Sequence, residues 1–519
     1  MVLTDGVNGA VDMTERYVLG IDIGTTGTKC LLVSDARGIV ASAYESYPTR
    51  TPALGQREQN AEDWWNAVIK TVRSVSSDAG VSGGVRAISL STQGGTLVPV
   101  DERLSPLAPA IVWSDNRCLG DREAVERALG KGYFYDACGW KLGKGLPAMQ
   151  LRRMRLERPE LFTRAAKFLT VPDYIASKMT GRAAIDLSNA GINQWVNVRD
   201  GVYDKKILEY VGVGTGRLPE LVRSGEVIGQ LTDDAANALG LRKDTLLVAG
   251  AHDQYAVALG AGVSEAGDAV IGTGTAWVVM ALSDEPDFQS GFSQSVSASP
   301  GKWGSLVSVS AGGACLDWFR KNIACGADGA PLDFGAIDTE VARRLQRDDG
   351  LTFYPYFNGS SPPEADGCSK GTMIGLDFSH DRFDIARAVM EGVACQIAWA
   401  LEALSAKHPV RRLKVAGGAT KSPVWMQMVA GLAGRPVITS DVADLGCVGA
   451  AVLAQAGCCI VASVSEGAAR LDIGARTICP ESGSAARYER VLSEYKAGAS
   501  LVRKLYAERG ERIGAFSGH

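Results

Sequence analysis

The chain has 519 residues, 46% of them hydrophobic and 22% charged, with a net charge of −4. That length calls for two large domains, and the composition supplies apolar side chains for two cores. The charge balance, with no basic run of five, gives no field for holding nucleic acid or an anionic membrane.

Met1–Arg16 lacks the apolar stretch of a secretory signal, and no uninterrupted apolar run is long enough to cross a bilayer, so a cytoplasmic protein is expected. The first strand is Tyr17–Gly24 (YVLGIDIG), followed by the turn Thr25–Thr28, a strand Lys29–Val33, a turn Ser34–Gly38 and a strand Ile39–Tyr44. This spacing predicts an antiparallel meander. A helix capped by Asn60 follows, with Trp64, Trp65, Val68, Ile69 and Val72 on one face. Val85–Leu90 and Ala110–Trp113 read as strands.

The order recurs further on. Leu246–Ala249 is a strand, Tyr255–Leu259 begins a helix, and the strand Asp268–Ile271 enters Gly272–Thr275 (GTGT). A long amphipathic helix over Phe383–Leu404 precedes a strand Leu413–Ala416 ending in Gly417-Gly418. Helix Pro423–Leu432, strand Val437–Thr439 and helix Val448–Gln455 complete the series. Strands alternating with helices in both halves predict α/β layers in each, with a boundary near residue 262. The eleven cysteines lack a CxxC pair and are expected to be buried free thiols; Cys458–Cys459 sits in an apolar stretch. With only His252, His380, His408 and His519 as histidines, any metal is expected to be a hard cation held by oxygens.

Three glycine-rich turns, Gly24–Thr28, Gly272–Thr275 and Gly417–Ala419, each follow an apolar strand. Glycine lets backbone approach a bulky anion, and neighbouring hydroxyls donate to phosphate oxygens. One such turn is ordinarily just a tight strand exit; three together point to phosphate. None matches the P-loop or the dinucleotide fingerprint. Asp22, inside an apolar strand, is costly to bury without a cation or donors, which suits an acid facing Mg²⁺ beside a nucleotide. Asp253, in Gly250–Gln254 (GAHDQ) just before a helix, is placed to accept a proton from a hydroxyl; a helix cap is the plainer reading, and His252 is the competing base.

Gly371–Leu376 (GTMIGL), seven residues, then Asp384–Glu391 (DIARAVME) resembles the C-terminal signature of the FGGY carbohydrate kinases. In the same order, Asp22–Lys29 (DIGTTGTK) resembles the first phosphate loop of that family and Ile111–Arg117 (IVWSDNR) its VWxDxR element. Gly250–Gln254 resembles the catalytic-base loop, Gly272–Thr275 the second phosphate loop, Ser310–Gly313 a further nucleotide contact and Val415–Ala419 the adenosine loop. The likeness covers about residues 17 to 500.

The resemblance implies two actin-like (ribonuclease H-like) α/β domains around a nucleotide and sugar cleft, which closes to expel water. After an N-terminal extension (1–16) expected to be disordered, residues 17–262 would bind sugar and 263–507 ATP, the tail beyond being peripheral. It further implies ATP and Mg²⁺, transfer of the γ-phosphoryl to a sugar or polyol hydroxyl, and a homodimer as the assembly usual in the family. Asp253 would be the general base and a metal neighbour, Gln254 would lie near the substrate, and Asp22 would hold Mg²⁺ through water. Thr25, Thr26 and Lys29 would face the transferred phosphoryl, and Gly272, Thr273 and Gly313 the phosphates. Gly418, Ala419 and Ser422 would line the adenosine. Gln93, Gly94, Asp115 and Trp140 are the remaining substrate candidates, Trp140 by stacking on a sugar face or else by packing in the core.

Departures from the family bear on the substrate. Gly94 and Gly95 stand where glycerol kinases carry Arg-Glu and xylulokinases Met-His, which is expected to remove hydrogen-bond partners and enlarge the pocket. Gln150 and Arg153 replace a Lys and a Trp, while Ile185–Ala190 fits, with Asp186 expected on the cleft wall. A xylulokinase-like enzyme for a pentulose or pentitol is the expectation. An actin-like ATPase and a non-catalytic sugar-binding relative are the alternatives.

Overall fold

The computed structural model describes residues 15–79, 81–142, 145–309, 311–325, 329–440, 442–471 and 474–516. By contact density the chain forms two compact units. The first holds the chain up to Ser264 together with Ser295–Lys302 and Asp444–Leu471; the second holds Glu265–Gln294, Trp303–Ala443 and the chain after Leu471.

The sheet of the first unit has the strand order Val227–Gln230, Leu246–His252, Val85–Thr92, Tyr17–Ile23, Gly27–Ser34, Gly38–Ser46. The last three form the expected antiparallel meander. Tyr17–Ile23 pairs in parallel with Val85–Thr92, which pairs in parallel with Leu246–His252. Helix Ala61–Asp78 packs on this sheet and starts where the sequence placed it, with the Asn60 side chain accepting from the Glu62 amide. Its Trp64, Val68 and Val72 are buried against Leu19 and Ile21, while Trp65 and Ile69 flank them half-buried. A second apolar cluster of this unit gathers Phe134, Leu151, Phe168 and Trp195.

Helix Leu445–Gly457 lies on the same sheet with no side-chain layer at the closest point. A Cβ on Gly20 would stand 1.9 Å from the Cys447 carbonyl oxygen. Against helix Asp253–Gly260 the contact is equally close: a Cβ on Gly449 would stand 1.9 Å from the Ala256 carbonyl and one on Gly260 2.0 Å from that of Leu445. Any larger residue would force the backbones apart, and overpacking of this kind costs about 1–3 kcal/mol.

In the second unit the strands run in the order Trp303–Val309, Trp277–Ser283, Asp268–Thr273, Arg412–Gly417, Val437–Ser440, Arg476–Ile478. The central pairing repeats the first sheet: Asp268–Thr273 is antiparallel to the strand that follows it and parallel to Arg412–Gly417. Its core joins Ile271, Trp277, Met390, Trp425 and Tyr495, contributed by the sheet and by helices Arg382–Ser405, Pro423–Ala433 and Ala485–Phe516.

Some sequence expectations shift. The last helix continues past Ala507 to Phe516. Most of the N-terminal extension lies outside the described residues, but Glu15 is engaged, accepting from Arg37 Nε at 2.7 Å and from Tyr17 Oη at 2.6 Å. The cysteines are free, yet Cys368, Cys459 and Cys479 are exposed rather than buried, because each sits in a turn or loop outside the packed layers. No described helix is long and apolar enough to cross a membrane.

Candidate active site

The first strand brings Asp22 into register with Lys29 on one side and Ser91 on the other. Ser91 Oγ donates to Asp22 Oδ1 at 2.6 Å. Gly446 closes in from above; a Cβ there would lie 2.9 Å from Ser91 Oγ and 3.1 Å from Asp22 Oδ1. Burial raises the Asp22 pKa to about 6, opposed by the Ser91 hydrogen bond and reinforced by the Asp253 carboxylate nearby. Lys29 Nζ pairs with Asp444 Oδ1 at 2.5 Å. Burial pulls the ammonium pKa down, and the Asp444 carboxylate outweighs it, so the net direction is upward. Asp444 holds a left-handed backbone (φ +59) just before helix Leu445–Gly457.

Asp253 is the first residue of helix Asp253–Gly260, and its neighbour His252, not Asp253 itself, occupies the cap. The preceding strand runs on to His252, so strand and helix meet directly behind the carboxylate, without the loop read from Gly250 onward. The Asp253 side chain is 36% exposed, and its Oδ1 lies 3.3 Å from His252 Nε2. Gln254 follows half-buried in the same turn.

Around the first glycine turn a buried amide network has formed. Thr25 Oγ1 donates to Gln93 Oε1 at 3.2 Å and accepts from Trp113 Nε1 at 3.2 Å. Gln93 Nε2 reaches the Gly24 carbonyl at 3.2 Å and Gln59 Oε1 at 3.1 Å, and Gln59 Nε2 donates to the Thr25 carbonyl at 2.6 Å. Thr26 is exposed. Asp115, almost fully buried, accepts from the Arg57 amide at 2.6 Å and from Arg117 Nε at 2.8 Å and Nη2 at 2.9 Å, which leaves its carboxylate pinning the Ile111–Arg117 segment. Trp140 sets its ring edge-on to His252, 6.1 Å between centroids.

The two glycines after Gln93 do not enlarge a pocket. A Cβ on Gly94 would meet His252 Cδ2 at 2.6 Å and Ile192 Cγ2 at 2.7 Å; Gly95 has φ +72, and a Cβ there would meet Leu146 Cδ2 at 3.0 Å. Neighbouring side chains have filled the space. The off-pattern Gln150 is buried and donates to the Gly95 and Ile111 carbonyls, each at 3.3 Å, and to that of Gly145. Arg153 pairs with Asp121 at 3.3 Å and Glu157 at 2.6 Å. Asp186 caps helix Leu187–Ile192 and accepts from Ser188 Oγ at 2.5 Å. Burial raises its pKa, countered by Asn189.

In the second unit the three predicted nucleotide segments converge. Gly274 and Thr275 are exposed, and their carbonyls accept from the amides of Gly313 (3.2 Å) and Ala314 (3.1 Å). Thr273 Oγ1 donates to the Ala416 carbonyl at 2.8 Å and accepts from the Ala419 amide at 3.1 Å, so its hydroxyl is engaged inside the protein. Gly417 (φ +105) allows the crossing, since a Cβ there would stand 2.6 Å from the Thr273 carbonyl oxygen. Gly418 is exposed and Ala419 half-buried. Ser422 caps helix Pro423–Ala433 and donates to Asp338 Oδ1 at 2.8 Å. Ser310 lies outside the described residues.

Sequence reading missed Gln59, Ser91, Asp444, Gly446 and Asp338. Gln59 and Ser91 carried a faint trace, a polar residue at a position patterned for burial; the others are brought in by helices distant in sequence.

The exposed, carboxylate-free turns Gly272–Thr275 and Gly417–Ala419 suit a polyphosphate approached by bare backbone. Asp22, with one oxygen bonded and a pKa raised by burial, suits a hard cation. Among the described residues no cluster of three or more His, Cys, Asp or Glu side chains could hold a metal. A cation here would therefore keep water and phosphate oxygens as most of its ligands.

These features define a phosphotransferase that acts on an alcohol group, and the chain belongs to the FGGY family of carbohydrate kinases. Residues 17–260 match the family's N-terminal domain and residues 269–458 its C-terminal domain. Among curated relatives, the gluconokinase of Bacillus subtilis is 28% identical over 445 residues, covering 84% of this chain and 86% of that one. The xylulose kinase of the same organism is 27% identical over 485 residues, covering 93% and 96%. The crystal structure of xylulose kinase from Rhodospirillum rubrum superposes with a TM-score of 0.87 at 26% identity, covering 95% of this chain and all of that one. The two-domain actin-like α/β fold is thereby established.

Proposed function

We propose that this kinase transfers the γ-phosphoryl group of Mg-ATP to a hydroxyl of a pentulose or pentitol. The observation that carries the reading is Asp253: a half-exposed carboxylate at a strand–helix junction, beside Asp22, with an oxygen free to take the acceptor's proton. As the acceptor oxygen bonds to the γ-phosphorus, the bond from that phosphorus to the β–γ bridging oxygen breaks, ADP leaves, and the acceptor's proton passes to Asp253. Asp22 orients the cation's water ligands, and the cation when bound neutralises charge on the phosphate oxygens. Lys29, drawn from Asp444, and the Thr25–Thr26 backbone address the transferred group. Gln93, Gly94, Trp140 and Gln254 border the sugar, with Asp115 holding that wall in place.

Residues 17–262 serve the sugar and 263–507 the nucleotide. In the latter, the backbone of Gly272, Thr273 and Gly313 takes the phosphates, and Gly418, Ala419 and Ser422 the adenosine. A cytoplasmic homodimer is the accompanying expectation. The similarity to a gluconokinase favours a second substrate reading, an aldonic acid. Both are tested by ADP release from Mg-ATP across ketoses, aldoses, polyols and aldonic acids, with Asp253→Asn as control. One strongly preferred sugar whose turnover the substitution abolishes supports the proposal; ADP release indifferent to every sugar defeats it.

A further inference from the structure

We propose that the first unit carries a second ligand site, separate from the reaction and fitted to an uncharged polyol or monosaccharide. It is a cavity of about 400 Å³ whose lining belongs entirely to that unit. The turn 223–226 forms one side and the segment 296–301 another; the start of helix Leu187–Ile192, with Ala456 and residues 462–464, supplies the rest. Small-molecule sites are ordinarily of this size. None of the residues assigned to phosphoryl transfer lines it, so its occupant is a separate matter from the substrate.

The walls present donors and acceptors that the protein does not use. Arg223 and Glu226 are exposed at the cavity, yet neither pairs with the other or with any charged side chain among the described residues. One Glu226 oxygen, Oε2, takes the Arg223 backbone amide at 3.0 Å, which leaves Oε1 to accept. Ser297 Oγ accepts from the Ser299 amide at 3.2 Å and Ser463 Oγ from the Glu466 amide at 3.1 Å, and each keeps its proton to give. Ser188 has nothing to offer, since its hydroxyl accepts from the His252 amide and donates to Asp186. Leu187, Val296 and Val464 add apolar surface beside these groups.

This mixture selects by exclusion. A simple anion would face the Glu226 carboxylate, and a cation the Arg223 guanidinium. An apolar ligand would strip both charges and the hydroxyls of water without replacing their hydrogen bonds, which is costly. A polyol answers each group, because every hydroxyl both donates and accepts. Its C–H edges cover the apolar side chains.

Methyl-labelled valine NMR reads the cavity directly, with Val296 and Val464 assigned through Val296→Ile and Val464→Ile. The full chain is titrated with xylitol and with D-glucose in the absence of ATP, so the readout needs no turnover. With at least one of them both methyl sets should shift saturably, with a Kd in the millimolar range. Arg223→Met and Glu226→Gln, both at exposed positions outside the reaction, should each weaken that binding about 10-fold. Ala462→Trp, at an exposed lining position, should block it.

A polyol held only at the catalytic site would be indifferent to these substitutions, so shifts that persist unchanged in the variants overturn the proposal. The absence of a saturable shift with either probe overturns it as well. Inorganic phosphate is the contrasting probe: saturable shifts at the same methyls with phosphate, and none with xylitol or D-glucose, would make this an anion site and sink the polyol reading. Should Ala462→Trp fail to fold, Arg223→Met and Glu226→Gln still decide. If the wild type phosphorylates no sugar, it is the functional reading that fails, and the titration still decides this one.

Discussion

The turns Gly24–Thr28 and Gly272–Thr275 leave their strands in the same topological setting, each strand antiparallel to its successor and parallel to a later neighbour. Their chemistry diverges two residues upstream. Asp22 precedes Gly24, held by Ser91, with Lys29 and Asp253 near it; the matching place before Gly272 is Val270, in the core. The first turn thus carries fixed negative charge and needs a cation or an acidic proton nearby. The second is bare backbone stitched to Gly313 and Ala419, where a carboxylate would repel the phosphates proposed to bind there. One strand–turn–strand unit accordingly carries two chemistries, and a single side chain separates them.

The largest effect should come from the acidic side. Asp253→Asn should retain the wild-type melting behaviour and nucleotide affinity yet lose sugar phosphorylation by about 10²–10⁴-fold; near-wild-type turnover would move the base elsewhere. On the bare side, Gly417→Ala forces a Cβ against the Thr273 carbonyl at a backbone angle that L-residues avoid. About 1–3 kcal/mol of strain should appear as weaker ATP binding in calorimetry and a lower melting temperature, and unchanged ATP affinity would contradict the role given to that crossing.

Asp22 sharpens the contrast through pH. Its folded-state pKa, about 6, stands above the ordinary 3.8, so the folded state binds more protons in that window. The stability this contributes is complete below about pH 4 and is lost as pH rises through 6. The loss amounts to roughly 2–3 kcal/mol in the nucleotide-free protein. Thermal unfolding of Asp22→Asn across pH 4–7 should show a shallower decline than the wild type, the remainder belonging to buried Asp173, whose pKa burial raises to about 7; a decline equal to the wild type's would take Asp22 out of it. The smallest effect is expected at Asp444→Gly. It relieves the left-handed backbone but gives up a half-exposed ion pair, for a net change within about 1 kcal/mol; a larger destabilisation in urea titration would mean the pair matters more than its exposure implies.

The sequence by itself determined the meander, the capped helix at Asn60, the three glycine turns and the two acids, because each is written in local periodicity or in a short contiguous motif. It also determined the family, through one long spaced signature. It misjudged Gly94 and Gly95, since what fills a missing side chain comes from residues such as His252 and Leu146, more than fifty positions or a whole strand away. It read the hydroxyls beside the glycine turns as donors to phosphate, and it held no sign that Thr25 and Thr273 would find partners at Gln93, Trp113, Ala416 and Ala419. Only the tertiary structure decided that helix Leu445–Gly457 would bring Asp444 and Gly446 onto Lys29 and Asp22. The reason is physical: hydrogen-bond satisfaction and close packing are settled by whichever groups the folded chain brings within a few ångströms, and linear spacing carries no record of them.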